Sequence, residues 1–246
     1  MQREIHKWWS PNLNKDMEVA VYGHYGFALL LFPTAAADFL EYERFQLIDS
    51  ISPLINEGKV KAYSINSING ESWLNKNIHP AHSAIRHQEY NGYITEEIVS
   101  FIKNTSSQSV PIITTGASLG AFHALNSFLR RPDLFAGVIA MSGTYDLKYY
   151  TNGYFDDNCY FNSPVDYLSK WDDENILNQL RHRSIVIASG QGPYEDPSAS
   201  QRISEILHSK GIKHWLDLWG HDIKHDWPTW REMLPYFLGK INPKHV

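Results

Sequence analysis

Short apolar segments alternate with longer amphipathic ones along the whole chain, and this alternation limits the fold more than any other feature. Apolar or β-branched runs lie at 17–24, 26–33, 60–66, 109–118, 135–143, 184–190 and 213–220. Helix-patterned stretches lie at 37–55, 93–104, 119–132, 198–211 and 227–241. A continuous run such as FALLLF (27–32) suits a strand buried on both faces. Strands separated by helices build βαβ units, so the expected class is α/β: a mostly parallel central sheet with helices on both faces. The turn between 17–24 and 26–33 is too short for a parallel crossover, so these two are expected to form an antiparallel N-terminal strand pair. Thr95 is the expected N-cap of 93–104, and Pro132 and Gly211 end their helices. Two stretches, 67–90 and 144–180, show no clear period. Both follow expected strands, which puts them at the carboxyl edge of the sheet, where open α/β sheets hold their sites.

Composition narrows the function classes. With 246 residues and no linker or repeat, the chain is expected to be a single domain spanning 1–246. A net charge of −5 and no basic cluster with interleaved aromatics argue against nucleic acid. Cys159 is the only cysteine, which excludes an intrachain disulfide and a cysteine-rich zinc site. The stretch MQREIHKWWSPNLNKDMEV has no apolar core of a secretory leader, and no window has the length of a membrane span, so a soluble cytoplasmic protein is expected. Aromatic residues reach 13% and cluster at 149–161 and 219–237, either as core or as the rings of a cleft.

The segment PIITTGASLGAFHAL (111–125) places one serine between two glycines where a strand becomes a helix. Gly-x-Ser-x-Gly alone is a weak signal, but a β-branched strand before it and a helix after it are the context it requires. In that setting Ser118 sits on a sharp turn with its hydroxyl lifted from the sheet. Gly116 and Gly120 leave room for the close approach of strand and helix. The Leu119 N–H, at the helix N-terminus, points at an oxyanion.

A serine hydroxyl needs a histidine within hydrogen-bond reach and a carboxylate to orient that histidine. Where the chain order is Ser, acid, His, the acid follows a late strand and the histidine follows the last. GHDIKHDW offers His221 and His225; His221 lies one residue past the strand, which restricts its reach and favours His225. GQGPYEDPS offers Glu195 and Asp196, which on extended chain point opposite ways. One faces the histidine and the other caps the next helix. Asp196 suits the cap, which leaves Glu195; Asp146, in SGTYDL, is a third candidate. The second oxyanion donor is expected from PTAAADF after the strand ALLLF: the N–H of Ala35, with Thr34 and Ala36 as neighbouring alternatives.

The remaining histidines point elsewhere. His79, His82 and His87 lack a nearby cysteine, Glu89 is their one close carboxylate, and HPAH carries a proline, so no metal is expected there. His123 is turned away from the Ser118 face of its helix and is expected to pack against a neighbouring element with a backbone partner. Asp156 and Asp157 are expected in a solvated loop.

The run WWSPNLNKDMEVAVYGHYGFALLLFPTAAADFLEYE, the elbow GASLGAFHALNSFLRRPDLF, the stretch SINGESWLNKNIHPAHSAIRHQEY and the segment from SGQGPYEDPS to MLPYFL resemble the putative-esterase family of α/β hydrolases. That family includes S-formylglutathione hydrolases, enterochelin esterases, feruloyl esterases and mycolyltransferases, and the likeness is greatest to its uncharacterised bacterial branch. The resemblance spans nearly the whole chain. It implies an α/β-hydrolase fold, Ser118 as nucleophile, His225 as its histidine and Glu195 as the acid. Similar sequences tend to carry glycines in the oxyanion loop, where Ala35, Ala36 and Ala37 stand here. The implied activity is a serine carboxylesterase acting on a small or aromatic ester through an acyl-enzyme. An acyltransferase with the same residues and a non-catalytic binding module on this fold are the alternatives. The expected partner is a small-molecule ester, with a homodimer through sheet edges left open. No cofactor, metal, nucleic acid or membrane is expected.

Overall fold

A computed structural model describes residues 1–35 and 37–241. Its strands are β1 Arg3–Ser10, β2 Lys15–Tyr22, β3 Phe27–Phe32, β4 Val60–Ile65, β5 Ile112–Ala117, β6 Gly137–Met141, β7 Ser184–Ser189 and β8 Trp215–Leu218. They form one sheet in the order β1-β2-β4-β3-β5-β6-β7-β8. From β4 to β8 every neighbouring pair is parallel. The antiparallel part is N-terminal: β2 runs against both β1 and β4.

The N-terminal pair is therefore β1–β2, and the segments 17–24 and 26–33 are not neighbours, because β4 lies between them. Residues 23–26 reach about 13 Å when extended, enough to cross two interstrand spacings of about 4.8 Å. Gly26, at φ +111°, makes this crossing possible, since a Cβ there would stand 2.3 Å from the Lys59 backbone. β1 escaped the sequence reading because an edge strand with one exposed face has no apolar run: only Ser10 is fully buried in it.

Alternation within β3 builds a core on each face. Ala28, Leu30 and Phe32 join one buried cluster, with the helices Leu119–Arg130 and Pro197–Ser209. Phe27, Leu29 and Leu31 join the other, with residues 42–55 and the helix Trp227–Leu238. Each buried leucine contributes about 1.5–3 kcal/mol relative to exposure.

Helix boundaries depart from periodicity in three places. The stretch 37–55 is three short helices, Glu41–Arg44, Leu47–Ser50 and Ser52–Asn56, the first two separated at Gln46 by a left-handed φ of 61°. The 93–104 helix begins earlier: Pro80–Gly92 runs through a π-helical turn, Tyr93–Ile98, into Val99–Thr105. Thr95 is thus interior, its hydroxyl donating to the Asn91 carbonyl rather than capping. The 144–180 stretch holds four helices of four to eight residues, too short to show a period. Among the described residues no helix is long and apolar enough to cross a membrane.

Because β3 and β5–β8 are parallel, their last residues, Phe32, Ala117, Met141, Ser189 and Leu218, share one edge. The loops leaving that edge carry all the expected site residues.

Candidate active site

Ser118 links β5 to the helix Leu119–Arg130 with φ 56° and ψ −124°, a strained conformation for a residue with a Cβ. Its N–H donates to the Met141 carbonyl at 3.0 Å, so the turn is tied to the end of β6. The glycines are steric necessities. A Cβ on Gly116 would stand 2.3 Å from the backbone of Gly120, and one on Gly120 would stand 2.2 Å from the Phe32 carbonyl oxygen. Gly120→Ala would press on backbone at two points that cannot yield, and is expected to cost about 3 kcal/mol or more. A urea midpoint equal to that of the parent protein would refute that packing account.

Tyr42 closes the gap between β3 and β5. Its hydroxyl donates to the Phe32 carbonyl at 2.6 Å and accepts the Ala117 N–H at 3.2 Å, immediately before Ser118. Among the described residues no side chain or carbonyl accepts the Leu119 N–H, which lies in the helix's first turn.

Glu195 and His225 meet. His225 Nδ1 lies 3.2 Å from Glu195 Oε2, and the Glu195 side chain is 0% exposed. A carboxylate only accepts, so Nδ1 carries the proton and the neutral ring leaves Nε2 as an acceptor. Ser142 Oγ donates to Glu195 Oε1 at 2.7 Å, and Ser189 Oγ lies 3.3 Å from Oε2. Trp230 Nε1 donates to Ser142 Oγ at 3.1 Å, which leaves that hydroxyl's proton for Glu195. The same indole stands edge-on to the His225 ring at 5.1 Å.

Backbone hydrogen bonds stitch the two loops together: Gln191 N–H to Gly220 O, Gly192 N–H to Ile223 O and His225 N–H to Pro193 O. A Cβ on Gly190 or Gly192 would stand 2.5 Å from the Ile223 carbonyl oxygen, which accounts for both glycines of GQG. Asp196 caps the helix Pro197–Ser209, accepting the Ser198 N–H at 3.1 Å. The adjacent carboxylates thus divide as extended backbone requires.

Burial pushes the Glu195 carboxyl up, but hydrogen bonds from His225 and Ser142 outweigh it and hold it below its ordinary value of 4.5. A depressed folded-state value stabilises the fold above the unfolded pKa, and this stabilisation disappears as pH falls through the folded value. The wild type is therefore expected to lose stability relative to Glu195→Gln below about pH 4.5, read from urea midpoints of the two proteins across pH. Parallel pH profiles would contradict that coupling.

The loop after β3 is anchored from two sides. Buried Glu41 accepts the Thr34 N–H at 2.7 Å and the Thr34 hydroxyl at 2.5 Å. Thr34, one alternative for the second oxyanion donor, therefore has its N–H engaged by a carboxylate. Asn69 Nδ2 donates to the carbonyls of Thr34 and Ala35 at 3.0 and 2.6 Å. The Ala35 N–H has no acceptor among the described residues. The other alternative, Ala36, lies outside the described residues.

Ser118 Oγ and His225 are not joined by a hydrogen bond among the described residues. The elbow is tied instead to Met141, and the next residue, Ser142, contacts Glu195. Other sequence candidates lie elsewhere. Asp146 pairs with Arg202 at 3.0 Å, and His221 is exposed, four residues before His225 in the same loop. Trp73, outside both aromatic clusters, is 1% exposed and is buried with Leu119 and Phe122. His123 is buried as expected, but its partner is the Asn69 side chain, not backbone. Asp156 caps a short helix through the Cys159 N–H. His79 caps Pro80–Gly92, accepting the Ala81 N–H, and among the described residues no group of three His, Cys, Asp or Glu could hold a metal. A cavity of about 680 Å³, lined by Tyr25, Phe27, Leu54 and Leu238 among others, opens at the opposite edge and touches none of these residues.

Sequence reasoning missed Ser142, Ser189, Trp230, Tyr42, Glu41 and Asn69. Ser142 and Ser189 carried a signal, since Ser142 follows β6 and Ser189 ends β7 at the edge where the site lies. Tyr42 and Trp230 had only their helical period, which says that they are buried and not what they bond.

The sheet order, the strained serine after β5 and the acid–histidine pair after β7 and β8 are those of the α/β-hydrolase fold. The family model described as "Putative esterase" matches residues 54–241, and the chain belongs to that family. A search of curated proteins finds no match. Similar solved structures include a ferulic acid esterase, 17% identical, with a TM-score of 0.76 over 99% of this chain and 97% of that one. The fluorophosphonate-binding serine hydrolase FphF of Staphylococcus aureus is 14% identical, with a TM-score of 0.67 over 97% of each chain. Mycobacterium tuberculosis MPT51 (FbpC1) is 17% identical, with a TM-score of 0.69 over 98% of each. At these identities the likeness is one of fold.

Proposed function

We propose that this protein is a carboxylesterase in which Ser118 is the nucleophile, His225 the general base and then acid, and Glu195 the group that orients the imidazole. His225 Nε2 takes the hydroxyl proton as Ser118 Oγ bonds to the ester carbonyl carbon. The N–H groups of Leu119 and Ala35 hold the oxyanion, each contributing about 3 kcal/mol of transition-state stabilisation. Collapse expels the alkoxide, which leaves as the alcohol with the proton from His225. Water then attacks the acyl-enzyme by the same route, releasing the acid and freeing Ser118. A small or aromatic acid is the proposed acyl group. The fold shared with a ferulic acid esterase and the exposed Tyr149 and Phe155 after β6 support it.

The observation that carries the reading is the Glu195–His225 pair, with its tautomer set by a buried carboxylate, on the same sheet edge as a serine held in strained backbone. The test is a fluorophosphonate probe followed by peptide mapping, run beside a panel of p-nitrophenyl esters of rising acyl length and aryl esters. One adduct per chain on Ser118, with turnover of short or aromatic esters, is the expected result. Folded protein that takes no adduct and turns over no ester would reduce the site to a binding module.

A further inference from the structure

We infer that Asn69 and His123 form a positioning clamp that aims the Ala35 N–H; the inference rests on the esterase reading. Asn69 is fully buried and donates both amide protons, one to the Thr34 carbonyl and one to the Ala35 carbonyl. Its oxygen then has only one role left, to accept. His123 Nε2 stands 2.7 Å from it, so His123 is the donor there. The neutral tautomer that results leaves Nδ1 as an unprotonated nitrogen, and Nδ1 is the His123 ring atom without a partner. Burial holds the ring neutral, pushing it down to about 3.

The consequence for the loop follows from peptide planarity. In a trans peptide the carbonyl of one residue and the N–H of the next point in opposite directions. Holding the Thr34 carbonyl on Asn69 therefore directs the Ala35 N–H away from Asn69. Glu41, on Thr34 N–H, blocks rotation of the preceding peptide. Alanine at 35 confines φ where glycine would not, and a hydrogen-bonded frame on both flanking peptides keeps the donor in one orientation. The frame is anchored to the helix Leu119–Arg130, which directly follows Ser118, because His123 lies on it. Nucleophile and oxyanion donor are thereby referenced to one rigid element.

The test compares Asn69→Ala, His123→Phe and His123→Gln with the wild type on p-nitrophenyl acetate, with thermal unfolding of each. The glutamine amide can place an N–H where Nε2 stood, and phenylalanine cannot. Asn69→Ala and His123→Phe are expected to lower kcat about 10- to 100-fold, with KM shifted less than about 3-fold, because an aimed donor acts on the transition state. His123→Gln is expected to recover most of the loss, a rescue that a merely space-filling role would not produce. If Asn69→Ala does not fold, the His123 pair decides. Wild-type kcat in His123→Phe, a loss carried by KM, or failure of His123→Gln to differ from His123→Phe overturns the clamp while leaving the esterase reading intact. A wild type that neither turns over the ester nor takes the phosphonate overturns both.

Discussion

Ser118→Ala is expected to lower kcat/KM for any substrate ester by roughly 10⁴- to 10⁶-fold, and to abolish the fluorophosphonate adduct, while the fold stays intact. The loss is expected to be large because alanine has no hydroxyl to bond to the ester carbonyl carbon, so the acyl-enzyme of the proposed mechanism cannot form. Stability behaves differently. The Ser118 hydroxyl makes no hydrogen bond within the described residues, so alanine is expected to unfold within about 0.5 kcal/mol of serine. The strain lies in the backbone at φ 56°. Ser118→Gly is therefore expected to be more stable than Ser118→Ala by roughly 1 kcal/mol, since the Cβ conflict disappears. A position where activity collapses and stability holds is one whose conformation is kept for chemistry. Steady-state kinetics and urea melts of the three proteins measure both quantities. An alanine variant retaining a tenth of the activity would move the nucleophile elsewhere.

The second large effect separates two adjacent carboxylates. Glu195→Ala is expected to reduce kcat about 10⁴-fold, because the imidazole loses the acceptor that sets its tautomer and the anion that offsets its charge in the transition state. It also leaves the Ser142 and Ser189 hydroxyls and His225 Nδ1 without their common partner, at a cost of about 1–3 kcal/mol. Asp196→Ala removes only a cap. It is expected to cost about 1 kcal/mol and to leave kcat unchanged. A reversed pattern in the kinetics would give Asp196 the orienting role in solution.

Much of this site was legible because it is written locally. The elbow needs a strand, a small residue on each side of Ser118 and a helix, all within ten residues of one another. Asp196 before Pro197 reads as a cap for the same reason, and that leaves Glu195 facing His225 by the alternation of extended backbone. The N-terminal topology was less legible. A four-residue turn between β2 and β3 fits direct pairing and also fits a gap wide enough for β4. Only the later strand's docking between them chooses, and β4 begins 28 residues after β3 ends. Trp73 and His123 show the same limit from the side of function. A tryptophan can line a cleft or fill a core, and packing with Leu119 and Phe122 put Trp73 in the core. His123 is buried as its helical position implies, but nothing local to it names Asn69 as its partner.

From its sequence alone the chain was committed to an α/β sheet, a strained serine at a strand-to-helix turn, and a carboxylate and a histidine at the ends of two later strands, because periodicity and turn chemistry act over a few residues. Tertiary structure alone decided the strand order, the Ser142–Trp230 support of Glu195 across 88 residues, and the Asn69–His123 frame across 54. Those are hydrogen bonds between groups brought together through space. Such a bond depends on two side chains arriving within about 3 Å of each other, and neither chain segment carries any periodic trace of the other.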